Sequence, residues 1–92
     1  MEVPDGLRNL VELVQTVEFD RDPDGRTFRV EIFHDPSAPL ETGYFTRCYH
    51  REISGDVITW FDTHESRYGA TPARVLEEAI ILARAHKFDS GR

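Results

Sequence analysis

Asp20, Asp22 and Asp24 stand at alternate positions, followed by Gly25 and then Glu31, and form the densest run of hard-cation ligands in the sequence. Carboxylate oxygens are what calcium selects, and three of them spaced by two could gather such a cation at a turn. Cys48 and His50 are also two apart, which places them on one side of an extended strand, with His34 and His64 near strand ends. A Cys/His metal cluster is therefore geometrically conceivable, but no pair of ligands has zinc spacing, and a core cysteine with surface histidines is the simpler assignment. Neither a Gly-x-Ser-x-Gly elbow nor a phosphate-binding glycine loop is present. No catalytic residue, metal ligand or cofactor is assigned, and the chain is expected not to be an enzyme. A different chemistry is offered by Arg29, Phe33, Phe45, Arg47, Tyr49 and Arg51. Rigid rings interleaved with guanidinium groups supply contact area at low entropic cost together with planar hydrogen bonding, the composition of a recognition surface.

The acidic stretch, DRDPDGRTFRVE, resembles the calcium-binding loops of EF-hand proteins, with Asp20, Asp22, Asp24, Gly25 and Glu31 at loop positions 1, 3, 5, 6 and 12. Two features oppose it: Thr27 replaces the aliphatic residue at position 8, and Pro23 lies inside the loop. The segment that follows alternates as a strand and then meets Pro36, so no second helix can form there.

These side chains must be positioned by strands and one helix. Thr71 to Phe88 reads as a helix, with Leu82, Val75, His86, Ala79, Ala83, Leu76 and Ile80 inside an arc of about 160°. Thr71 suits the N-cap, Pro72 the first helical position, and Arg84, His86 and Lys87 the end where the helix dipole favours cations. Upstream, residues 13 to 20 and 26 to 34 read as strands joined by the turn Asp22-Pro23-Asp24-Gly25. A short helical turn near residues 6 to 12 precedes them. Residues 34 to 43, with two prolines, are expected to cross an edge of the sheet or form a mobile surface flap. Tyr44 to Arg51 and Asp56 to Thr63 form a second hairpin around Ser54-Gly55. The fold class is α+β: a four-stranded antiparallel meander sheet with one C-terminal helix across one face, in a single domain spanning residues 1 to 92.

One helix covers only one face of such a sheet. Phe28, Val30 and Ile32 are expected to meet it, together with Val17, Phe19, Tyr44 and Cys48. The other face would display Arg29, Glu31, Phe33, Phe45, Arg47, Tyr49 and Arg51. Strand four is ambiguous, since Val57, Thr59 and Phe61 or Ile58 and Trp60 could point inward. The N-terminal segment could also fold over the second face and complete a two-sided core.

Lys plus Arg number 11 against 17 Asp plus Glu, a net charge of −6, which argues against a nonspecific grip on nucleic acid or an anionic membrane. The acidic excess lies in residues 1 to 46, where four Arg face ten acids. Ten of the eleven cations are Arg, a bias that GC-rich coding explains before function does. The single cysteine excludes an intrachain disulfide, and neither a signal peptide nor a membrane-spanning run is evident, so a cytoplasmic location is expected. The order of strands followed by Gly69-Ala70-Thr71-Pro72 and Leu76-Glu77-Glu78-Ala79-Ile80 resembles the sheet-plus-helix part of HicB-type antitoxins. Here Ala73-Arg74-Val75 separates Pro72 from the Leu-Glu-Glu-Ala motif, and that family's glycine-rich strand signature is missing, so no family is assigned. A likeness to double-stranded RNA-binding domains fails because Ala70, Thr71, Pro72 and Ala73 replace their Lys-rich approach to the last helix.

The resulting expectation is a small acidic module that binds another protein through the aromatic and Arg face, as inhibitors, antitoxins, immunity proteins and regulatory factors do. The alternatives are a homodimer that uses the same face for self-association, the calcium-binding hairpin, and a platform for single-stranded nucleic acid, in which rings stack on bases and Arg contacts phosphates.

Overall fold

The computed structural model describes residues 11–88. Strands β1 (Glu12–Arg21), β2 (Arg26–His34), β3 (Tyr44–Ser54) and β4 (Val57–Asp62) form an antiparallel meander in the order β1-β2-β3-β4, and helix α1 (Pro72–Ala85) packs on it. This is the α+β architecture expected from the sequence. A further two-residue strand, β5 (Tyr68–Gly69), pairs with Tyr44 and Phe45 of β3, on the side where β4 pairs with the far half of that strand. The expected helical turn near residues 6 to 12 falls mostly outside the described residues, and Glu12 already belongs to β1.

Alternation decides which side chains meet the helix. Phe28, Val30 and Ile32 are fully buried with Cys48 against Val75, Ala79 and Ala83, while Phe19, Tyr44, Leu76 and Phe88 pack at the margin. Small residues at 79 and 83 let the helix axis approach the sheet closely. Gly69 serves the same approach at the helix's first turn: a Cβ there would lie 3.0 Å from Cγ1 of Val75. Burial in this core pushes the Cys48 thiol up to about 11, so it stays protonated and inert.

Thr71 caps the helix as expected, its hydroxyl accepting from the Arg74 amide at 3.2 Å. The helix ends at Ala85 rather than continuing to Phe88. Arg21 clasps that end: its guanidinium donates to the carbonyls of Ala83 at 2.8 Å and His86 at 2.6 Å. The Ala83 carbonyl also accepts from the His86 amide at 3.3 Å, and a cation in that position suits the negative end of the helix dipole. His86 turns extended, and Phe88 folds back on Phe28 with ring centroids 6.1 Å apart. His50 lies edge-on to Phe88 at 4.8 Å, and His86 pairs with Glu65 at 3.0 Å.

The loop between β2 and β3 contains a 3₁₀ turn (Leu40–Thr42) and is closed by the Asp35 amide donating to the Gly43 carbonyl at 2.8 Å. Gly55, at φ 62, supplies the left-handed position in the two-residue β3–β4 turn.

Candidate protein-binding face

Directly opposed residues in an antiparallel sheet project to the same side, so the register builds the second face row by row. Leu13 opposes Phe33, Phe33 opposes Phe45, and Phe45 opposes Tyr68, which gives one apolar row across β1, β2, β3 and β5. Glu31 and Arg47 form the core of the next row, Glu18, Arg29, Tyr49 and Asp62 the third, and Asp20, Thr27, Arg51 and Trp60 the fourth. The six residues anticipated as a binding set, Arg29, Phe33, Phe45, Arg47, Tyr49 and Arg51, therefore share one face. None of them is fully buried, and no described element lies across them.

The rings in the first row are in contact. Phe33 stacks on Phe45 at 5.2 Å, and Phe45 meets Tyr68 at 5.7 Å. The ends of the row are open, with Leu13 at 55% and Tyr68 at 57% exposure. Arg47 lies over the Phe33 ring at 5.7 Å and, among the described residues, makes no ion pair with a carboxylate. The remaining cations are more tied down. Arg29 stacks on Trp60 at 4.1 Å and pairs with Glu18 at 2.9 Å. Arg51 donates to the Thr27 hydroxyl at 3.0 Å, and that hydroxyl donates to Asp20 at 2.7 Å. Burial, reinforced by the Glu31 carboxylate, raises the Tyr49 phenol above its ordinary value, so it remains a neutral donor. The face thus has an aromatic end, a guanidinium at its centre that forms no ion pair among the described residues, and an internally paired polar end.

Trp60, Tyr68 and Leu13 extend this face beyond the set read from the sequence. Trp60 was undetermined because β4 is apolar on both sides, Tyr68 lay in a segment with no alternation, and a register shift at Val14 reverses Leu13 relative to the residues that follow it. Val57, Thr59 and Phe61 project to the helix side, yet the helix does not cover them: Val57 is 61% and Phe61 47% exposed.

The calcium pattern is not assembled into a site. Asp20 is engaged by Thr27, Asp24 by Arg21, and Glu31 lies four residues beyond Thr27 on β2, about 13 Å away at the rise of a strand. Pairing with Arg21 holds the Asp24 carboxyl down at about 2. Cys48 and His50 share the helix side of β3 as expected, but no group of three or more metal-ligating side chains converges among the described residues. A separate recess between β1 and α1, lined by Val17, Phe19, Ile80 and Arg84, opens at the β1 edge, away from the aromatic face.

Comparison with protein-family models, with characterised proteins and with solved structures gives no match to this chain. No helix among the described residues is long and apolar enough to cross a membrane.

Proposed function

We propose that this chain is a non-enzymatic module that binds another protein through its open sheet face, in the manner of an inhibitor, an antitoxin or immunity protein, or a regulatory factor. The observation that carries the reading is the contiguous row Leu13, Phe33, Phe45 and Tyr68 with Arg47 beside it, partly exposed and crossed by no described element. An apolar patch of this kind, rimmed by polar side chains, is the usual mark of an interaction site. The net charge of −6 steers the chain toward a basic partner, the rings supply affinity, and Arg47 takes a carboxylate on the partner. We place the module in the cytoplasm, where a lone thiol such as Cys48 stays reduced.

The test compares proteins retained from lysate by the wild-type chain, by Arg47→Glu/Tyr68→Ala, and by a helix-surface control, Arg84→Glu. All three altered side chains are exposed, so folding is preserved and can be checked by circular dichroism. A protein retained by the wild type and the control but lost from the double variant supports this face. Equal retention by all three rejects it.

A further inference from the structure

The two edges of the sheet differ in a way that the open face does not explain. β1, at one edge, carries Glu12, Glu18, Asp20 and Arg21 and is broken by a register shift at Val14, both devices that discourage pairing with another strand. β4, at the other edge, reads Val57-Ile58-Thr59-Trp60-Phe61-Asp62, with no proline, no lysine, no register shift and one charge at its far end. Its apolar side chains are exposed on both faces: Ile58 at 57% on the open side, Val57 and Phe61 on the helix side. Among the described residues, nothing pairs with its outer side.

The direction of its free backbone groups follows from the hairpin. Ser54 and Val57 flank a two-residue turn and so exchange hydrogen bonds, and the Thr63 amide also donates inward, to the Cys48 carbonyl at 2.9 Å. Residues 57, 59, 61 and 63 therefore turn their backbone groups toward β3, while Ile58, Trp60 and Asp62 offer theirs to the outside. Any strand that docks here is bound by those three residues.

We propose that β4 pairs antiparallel with β4 of a second copy of this chain, about a two-fold axis perpendicular to the sheet at Thr59. Such an axis requires opposed residues of equal parity, and centring it on Thr59 sets Ile58 against Trp60 and Val57 against Phe61, each contact occurring twice. Every exposed apolar side chain of the strand then meets an apolar partner on its own face. This self-complementarity selects a second copy over a foreign strand. The two meanders join into one continuous sheet, and because the axis is perpendicular to it, both aromatic faces lie on the same side. The dimer is thus a bivalent display of the open face, although its existence does not depend on what that face binds.

Six residues a side is well below the roughly 20–30 of a standard interface, and Asp62 approaches Asp56 of the second copy. The association is consequently weak and concentration-dependent. Sedimentation analysis from micromolar to submillimolar chain is expected to show the mass rising from 10.6 kDa toward twice that value. Thr59→Lys puts like charges on the axis at an exposed position and is expected to weaken association at least tenfold, with unchanged circular dichroism. Thr59→Cys provides a readout independent of that variant's folding. Opposed residues of a non-hydrogen-bonded pair have Cα atoms about 4.5 Å apart, within disulfide range, and native Cys48 is buried. Under mild oxidation, Thr59→Cys is expected to give a covalent dimer, and Glu77→Cys on the helix is not. A chain that stays monomeric throughout, a dimer that Thr59→Lys leaves intact, or a Thr59→Cys chain that cross-links no faster than Glu77→Cys overturns the proposal. Loss of partner binding in the face variants leaves it untouched.

Discussion

Arg21 ties the β1–β2 hairpin to the end of the helix, and its removal can be worked through quantitatively. Its side chain is only 10% exposed, donates to the carbonyls of Ala83 in α1's last turn and of His86 just beyond it, and lies 5.1 Å and 5.2 Å from the Phe28 and Phe88 ring centroids. Arg21→Met keeps the apolar stem and deletes the donors. A hydrogen bond from a charged donor is worth about 1.5–3 kcal/mol when both groups are shielded. These carbonyls are only partly buried, so about 1 kcal/mol each is the fitting value, with up to about 1 kcal/mol more from the ring contacts. The ion pair with Asp24 adds little because the carboxylate is exposed. The total is about 2–3 kcal/mol, which for a domain of this size lowers Tm by about 10–20 °C. Thermal unfolding followed by circular dichroism measures it, with Asp24→Asn as the control that leaves Arg21 in place. A Tm for Arg21→Met within about 3 °C of wild type, at the 4–8 °C per kcal/mol typical of such domains, would refute the claim that this guanidinium fastens the hairpin to the helix end.

Three further outcomes follow from the same packing. Burial, then His86 and Arg26, lowers the His50 pKa against the opposing pull of Glu52, whose Oε2 is 3.7 Å from the unpartnered Nδ1. The unfolded chain therefore binds a proton that the folded chain refuses, so stability present above about pH 6.5 declines as pH falls through the range below it. Urea unfolding at pH 7.5 and pH 5.5 is expected to show this loss, and His50→Leu to reduce it; an identical pH dependence in the variant would contradict the assignment. Gly69→Ala forces Val75 to move and is expected to cost about 1 kcal/mol, whereas an unchanged urea midpoint would mean that β5 and α1 are less closely packed than described. Millimolar calcium is expected to leave Tm and the amide shifts of Asp20 to Asp24 unmoved, and a saturable shift at those amides would restore the cation site.

The parts of the fold that sequence made legible are those in which burial on one side imposes a period. Phe28, Val30 and Ile32 are selected by the helix against polar neighbours, and Thr71-Pro72 marks the helix start through its own hydrogen bonding. β4 was illegible because the helix stops short of it: with neither side buried, Val57, Ile58, Trp60 and Phe61 carry no alternation to read. Phe88 continues the helical spacing but is held by Arg21, Arg26, Phe28 and His50, contacts between residues far apart in the chain. The six-residue candidate face was readable because strands β2 and β3 alternate cleanly; Trp60, Tyr68 and Leu13 join it through pairings that only the register reveals. The acidic run has the ligand spacing of a calcium loop, yet a hairpin sends Asp20 and Glu31 to different rungs of the sheet.

The most direct test of the open-face account is to titrate the retained partner into isotope-labelled chain and map the amide shifts by NMR. The account predicts that perturbations cluster on Phe33, Phe45, Arg47, Tyr49 and Tyr68, with α1 unaffected. Perturbations confined to α1 or to the turn at Asp22 to Gly25 would contradict it.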